Sequence, residues 1–342
     1  MKFSKKLLAL AVLLLVIAGT AYSEETRVIR WGRGNSGNAL VTIARKLGYF
    51  DEAGLTIEET PLDGDSALSS LVGGHVDVLS NNGTNMPLRY ISAGDKLTIF
   101  GGHMLTGCMP VIARKGTVWN GVEDLLGKKV ASNAGVYAVS GPLMDKGHDP
   151  KTEVEWVQIA VDSDKLAAVV NGRADYAVLG TGRMYAALSM KDQIEIMTYC
   201  SDLTPNYSCC RMETRDEFIQ QNPTTIKLLL KCLIRAQCYY EAHKPEVVKM
   251  MAEELGTSEE YVAAYMMNEH YRIHVDPIRK PVFRAWDYMD RLGVLEKAEG
   301  VKLEEHINTE LYKAALDEVI AEHKSEAPEF YDRMLAFYEE NN

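Results

Sequence analysis

The sequence predicts an α/β protein built as two sheet-based lobes with a helical tail, and three observations carry that expectation. Short apolar runs alternate with amphipathic stretches from Val28 to Val178, the pattern of mainly parallel strands covered by crossover helices. After about Asp216 the pattern becomes almost wholly helical. One strand–helix–strand phrase also occurs twice. A chain of 342 residues, 46% of them apolar, exceeds the usual size of one hydrophobic core, so two lobes are expected.

The first element is an address rather than part of the fold. Lys2, Lys5 and Lys6 precede an apolar run from Leu7 to Ala18, and the mostly small residues Gly19 to Ser23 follow. These are the three regions of a secretory leader. The run is ~12 residues long, against the ~20 that a spanning helix needs. Residues 1–23 are therefore expected to be a cleaved signal peptide, with no Cys at the cleavage site for a lipid, and the product to be periplasmic. Cleavage removes three Lys and no acids, so the net charge moves from −11 to −14. An acidic chain without a basic stretch argues against nucleic acid and anionic membranes as partners.

The remaining elements follow in order. Strands are predicted at Val28–Trp31, Leu55–Glu59, Val76–Leu79, Leu97–Phe100, Met109–Ala113, Lys129–Ala131, Val154–Ile159 and Ala174–Leu179, from apolar and β-branched runs. Between them, 3.6-residue periodicity predicts helices at Ala39–Leu47, Ala67–Val72, Pro87–Ala93, Val136–Lys146, Lys165–Asn171 and Arg183–Met190. The tail reads as helices at Ile226–His243, Pro245–Leu255, Ser258–His270 and Val282–Leu292, with two more before Asn342. It is expected to pack back on one sheet. Residues 24–112 with 212–342 are assigned to lobe I and 113–211 to an inserted lobe II, so two crossovers form a hinge.

The repeat is specific. Asp65–Leu71 leads to Gly73-Gly74-His75-Val76-Asp77-Val78, and Asp164–Val170 leads to Asn171-Gly172-Arg173-Ala174-Asp175-Tyr176. Both phrases place Gly-x-x-Asp before a buried-looking strand and a Gly/polar turn after it. Asp77 and Asp175 are read as structural, each bonding a neighbouring loop.

Five phrases in order then carry a family resemblance. They are Leu47-Gly48-Tyr49-Phe50-Asp51-Glu52-Ala53-Gly54-Leu55, Ala67 to Val78, Val122-Glu123-Asp124-Leu125-Leu126-Gly127-Lys128-Lys129-Val130-Ala131, Val169 to Ala177, and Phe218-Ile219-Gln220-Gln221-Asn222-Pro223. Together they resemble the nitrate/sulfonate/taurine and thiamine-pyrimidine branch of ABC-transporter substrate-binding proteins. The resemblance implies a type II periplasmic binding fold, a small polar ligand held in the cleft by hinge closure, and ABC permease subunits as partners. The ligand it implies is an anion of the sulfonate, taurine or nitrate kind, or alternatively an aminopyrimidine or other flat heterocycle. A monomer without cofactor is expected.

Ligand contacts are expected in the polar turns at strand carboxyl ends, where helix N-termini supply unpaired N–H groups. In lobe I these turns offer Asn35, Ser36, Asp65, Ser66, Ser80, Asn81 and Asn82. In lobe II they offer Ser132, Asn133, Tyr137, Asp162, Thr181 and Arg183. The Ser, Thr, Asn and Asp of each turn also serve simply as helix caps. Arg183 or Arg33 could fork onto an acid group, and Tyr137 could stack on a ring.

No nucleophile–base pair stands out, and no Cys/His spacing suggests a metal site. The chain has six cysteines. Cys232 and Cys238 fall in a helix core pattern, and Cys200 with Cys209 or Cys210 is the one locally plausible bridge. Pyrimidine synthases of the same family carry a run of four cysteines before an Asp-Glu-Phe helix. Here only Cys209-Cys210 precedes Asp216-Glu217-Phe218, so an enzyme is not expected.

Overall fold

The computed structural model describes residues 25–34, 37–62, 64–80, 82–159 and 161–342. The leader expected at 1–23 lies outside them. Among the described residues no helix is long and apolar enough to cross a membrane.

Twelve strands are described: β1 Val28–Arg33, β2 Thr56–Pro61, β3 Val78–Leu79, β4 Leu97–Gly102, β5 Met104–Thr106, β6 Pro110–Arg114, β7 Lys129–Ala131, β8 Glu155–Val157, β9 Tyr176–Val178, β10 Ile194–Tyr199, β11 Arg211–Arg215 and β12 Arg272–Ile273. They form two five-stranded sheets, ordered β2-β1-β3-β11-β4 and β10-β6-β9-β7-β8, and a small β12-β5 pair. The sheets have one topology. In each, the first strand pairs in parallel with the second and third.

The fourth position in each sheet adds an antiparallel strand to the expected parallel pairing. Strand β11 arrives from the second sheet and lies antiparallel between β3 and β4. Strand β6 arrives from the first and lies antiparallel between β9 and β10. Each crossover thus completes the other lobe's sheet, which ties the lobes by backbone hydrogen bonds rather than by a loose linker.

The repeated Gly-x-x-Asp phrase has a repeated physical role. Asp77 Oδ2 accepts from the Arg30 amide of β1 at 3.1 Å, and Asp175 Oδ2 accepts from the Lys129 amide of β7 at 3.0 Å. The partner is therefore a first strand, not the loop that the sequence suggested. An arginine on the crossover strand completes each arrangement. Arg215 Nη2 sits 3.0 Å from Asp77 and its Nη1 donates to Leu71 O at the helix end, 2.9 Å away. Arg114 reaches Asp175 at 3.9 Å and Val169 O at 3.4 Å.

The tail corrects a second expectation, because it packs on both lobes. Helix Pro223–Ala242 packs on helix Ala39–Lys46 of lobe I, whereas helix Arg279–Arg291 packs on helix Tyr137–Asp145 of lobe II. A Cβ on Gly141 would lie 2.4 Å from the Tyr288 ring, so glycine is what admits that ring. Arg291 Nη1 adds an ion pair to Asp145 at 2.8 Å. One apolar cluster consequently runs from Leu68 and Leu88 through Val111 and Val130 to Val282 and Met289.

Candidate functional site

The crossovers, the turn after β9 and the tail meet around a cavity of about 460 Å³. Met104 and Met109 line it from the outgoing crossover, and Cys209 from the returning one. The turn after β9 contributes Thr181 and Gly182. The tail supplies the rest: Leu255 and Thr257 flank the left-handed Gly256 that ends helix Lys244–Leu255, and Tyr261, Tyr265 and Tyr271 follow.

Local sequence explains the tyrosine wall. Tyr261 and Tyr265 are four apart on helix Glu259–Met266, whose N-cap Ser258 accepts from the Tyr261 amide, so both rings lie on one face. Their centroids are 6.1 Å apart at 78°, and Tyr265 to Tyr271 is 5.4 Å at 68°. Such edge-to-face sets hold one another in place and present apolar faces with polar rims. Tyr261 Oη donates to Gly182 O at 3.1 Å, joining the tail to lobe II across the cavity.

The lining carries no Lys, Arg, His, Asp or Glu. Its titratable members are tyrosines and Cys209. Burial raises the Tyr265 and Tyr271 hydroxyls, which stay neutral. Cys209 moves the other way, to about 7, chiefly because Cys210 donates to its sulfur. Behind Met104 and Cys209 lies a buried polar layer. Arg211 is 1% exposed and donates to Met104 O at 2.8 Å and Asp276 O at 2.6 Å. Burial pulls its pKa down to about 10 and pushes the His103 imidazole to about 3, with the Arg211 charge adding to the latter. Glu213 lies beside Asn82 and is driven well above the usual carboxylate range by burial. Neither side chain completes a hydrogen bond within the protein.

The expected site residues scatter. Asn35, Ser36 and Asn81 lie outside the described residues. Thr181 lines the cavity, and Arg183 stands two residues on, partly exposed. Ser80 is buried and accepts from Asn38 Nδ2 at 3.1 Å. Ser132 is buried with its hydroxyl unpartnered, while Asn133 is exposed and accepts from the Gly135 amide. Asp162 accepts from the Gly180 amide and pairs with Lys165 at 2.7 Å, so it braces the turn after β9.

Three positions depart further from the expectation. Asp65 lines a different groove with Arg89, Tyr90 and Glu296, and its neighbour Ser66 is exposed beside it. Tyr137 is 7% exposed and its hydroxyl lies 2.8 Å from both the Tyr207 and Ser208 carbonyls, which fastens the returning crossover instead of offering a ring to a ligand. Arg33 stands 3.7 Å from Glu59. Sequence reasoning missed the tail tyrosines. The signal that could have found them is the Tyr261/Tyr265 spacing just after a Gly-terminated helix.

All six cysteines are free thiols in the structure, and Cys200 is fully buried without a bridge to Cys209 or Cys210. Among the described residues no group of three His, Cys, Asp or Glu side chains could hold a metal ion.

Comparison with known proteins bears on the fold and the family. The NMT1/THI5-like family model matches residues 35–246, more than half of the chain. No curated protein matches. Among solved structures, the periplasmic aliphatic sulphonate binding protein SsuA from Escherichia coli superposes with a TM-score of 0.70 at 18% identity, covering 83% of this chain and 92% of that one. The alkanesulfonate-binding SsuA from Xanthomonas axonopodis pv. citri, bound to MOPS, gives 0.65 at 16%, with 84% and 99% covered. The desulfurization enzyme DszB, as a cysteine-to-serine mutant in complex with biphenyl-2-sulfinic acid, gives 0.60 at 15%, with 85% and 99% covered. The fold is thus that of periplasmic binding proteins, and it is shared by binders and an enzyme. The family match ends before Leu255, so the tail wall of the cavity lies beyond it.

Proposed function

The chain belongs to the NMT1/THI5-like family, and on that premise we propose that it is an extracytoplasmic solute-binding protein that delivers its ligand to an ABC permease. The ligand occupies the cavity between the crossovers, the Thr181-Gly182 turn and the tail, and is a small organic molecule with a flat, uncharged body. The observation that carries this reading is the lining itself: three tyrosines and two methionines with Thr181 and Thr257, and no Lys, Arg, His, Asp or Glu. Apolar faces with a few placed polar groups suit a neutral ring. A sulfonate would need a cation or a cluster of donors, so the cavity favours the heterocycle over the anion that the loops suggested. It also lacks the histidine or carboxylate that a cysteine nucleophile would use as base, which favours binding over catalysis.

The test is a thermal-shift screen of aminopyrimidines and other neutral heterocycles against sulfonates, taurine and nitrate. A ligand at a hundred times its Kd adds about 2.7 kcal/mol to stability, a readily measured rise in Tm. Heterocycles are expected to give it. A rise with sulfonates alone would return the ligand to the anionic class.

A further inference from the structure

The returning crossover carries a pair of groups that solute binding does not use. Cys209 lines the cavity, Cys210 is 3% exposed behind it, and the two sulfurs are 3.7 Å apart with Cys210 donating. The Cys209 sulfur has further company. A Cβ on Gly107 would stand 3.2 Å from that sulfur, 3.2 Å from the Tyr207 hydroxyl and 2.3 Å from Thr181 Oγ1. Glycine is therefore required there, and the sulfur, the phenol and the crossover backbone converge on one point.

The neighbouring thiols have opposite character. Donation from Cys210 is the largest influence drawing Cys209 down to about 7, whereas Cys210 is held well above its ordinary value by the same contact and by burial. Burial takes Cys108, Cys200 and Cys232 up to about 12. Only a thiolate attacks a disulfide, and access decides which one does. Cys209 alone combines thiolate character with a place on the cavity wall.

We propose that Cys209 and Cys210 form a redox-active dithiol that reacts with small disulfide solutes reaching the cavity and closes to a vicinal disulfide. The Cys209 thiolate attacks one sulfur of the solute RSSR, forming a mixed disulfide and expelling one thiolate RS⁻. Cys210 then loses its proton and attacks the Cys209 sulfur, and the second RS⁻ leaves. Taken with the two thiol protons, the products are one protein disulfide and two RSH. The protein pair is oxidised by two electrons and the solute is reduced by two. Closing the bond brings the sulfurs from 3.7 Å to about 2.05 Å. The segment that must move is already unusual, with Ser208 at φ 63° immediately before the pair, and its movement reshapes the cavity wall.

The experiment uses the full chain and oxidised glutathione, quenched with acid, alkylated and mapped by mass spectrometry. In the wild type, the peptide holding residues 209 and 210 is expected to lose two hydrogens and resist alkylation, while the other four cysteines still alkylate. Cys210→Ser should retain a glutathione adduct on Cys209, and Cys209→Ser should react at least about tenfold more slowly. An unmodified pair, or equal rates in the two variants, overturns the proposal. Should the variants fail to fold, alkylation of wild-type Cys209 by iodoacetamide against pH decides. A midpoint near 7 supports the dithiol, and a midpoint at the ordinary thiol value near 8.5 refutes it.

Discussion

Two buried aspartates show how location sets the sign of a charge's effect. Asp276 is fully buried, its Oδ1 accepting from the Ile278 amide and from Asn342 Nδ2, and burial raises its pKa to about 6 from an ordinary 3.8. Between those values the folded state holds a proton that the unfolded chain has released, so stability falls as pH rises through the window. Asp276→Asn should remove that slope, a difference on the order of 2–3 kcal/mol, seen by comparing urea unfolding at pH 4 and 6.5 in both proteins. A parallel pH profile would refute it. Asp77 has the opposite sign. Burial would raise it, but hydrogen bonds from Arg30 and Arg215 outweigh burial and hold it low. Its contribution is present at neutral pH and lost in acid, as the pH falls through the folded-state value. At the cavity, Tyr265→Ala should weaken binding of the screened heterocycle about tenfold, some 1.4 kcal/mol, with Arg183→Ala silent. Calorimetry that found the dominant loss at Arg183 would instead favour an anion.

At the level of elements, the repeated latch predicts unequal costs from like substitutions. Asp77 is 4% exposed at its side chain and Arg215 19%, against 42% and 46% for Asp175 and Arg114. Arg30 still pairs with Asp77 at 2.6 Å when Arg215 is removed, so the loss there is one of two partners together with the bonds to the buried Leu71 and Val76 carbonyls, whereas an exposed pair contributes little. Arg215→Met should therefore destabilise by roughly 1–3 kcal/mol and Arg114→Met by under about 1 kcal/mol, measured by chemical denaturation. Equal losses would mean that the duplication is equal in energy as well as shape. The latch was half legible. Repeated spacing singled out Asp77 and Asp175, because a strand's period is local. Their arginines were invisible, since Arg114 and Arg215 reach them only through crossover strands distant in sequence. Strand β7 was expected at its observed limits and β1 two residues short. Strands β5, β10, β11 and β12 went unseen: β5 and β12 are short pieces, and the pairing of all four is decided by distant partners. The site was less legible still: turns at strand ends are a generic location, and nothing local says that the tail will supply half of the wall.

For the whole molecule, the tail joins the two lobes beyond their crossovers. A hinge on two crossovers alone would open freely, but here the tail spans the gap at two places. At the cavity, Tyr261 donates to Gly182 O, and helix Glu259–Met266 packs on helix Met184–Ser189. At the second place, helix Arg279–Arg291 rests on helix Tyr137–Asp145, with Asp145 bonded to both Tyr288 and Arg291. On the proposed solute-binding function, a ligand shifts an equilibrium between open and closed lobes only by its differential affinity, and these contacts would oppose opening. Asp145 is half exposed, and Asp145→Ala should cost under about 1 kcal/mol of stability. Gly141→Ala places a methyl 2.4 Å from the Tyr288 ring, and overpacking of that kind costs about 1–3 kcal/mol unless the tail helix moves off. Both variants should therefore populate an open form without ligand, read as a larger radius of gyration in small-angle X-ray scattering. Saturating heterocycle should return Asp145→Ala to the wild-type value, while Gly141→Ala, whose obstruction persists, should return only in part. If neither variant expands, the lobes are held by the crossovers themselves, and the tail serves the cavity wall alone.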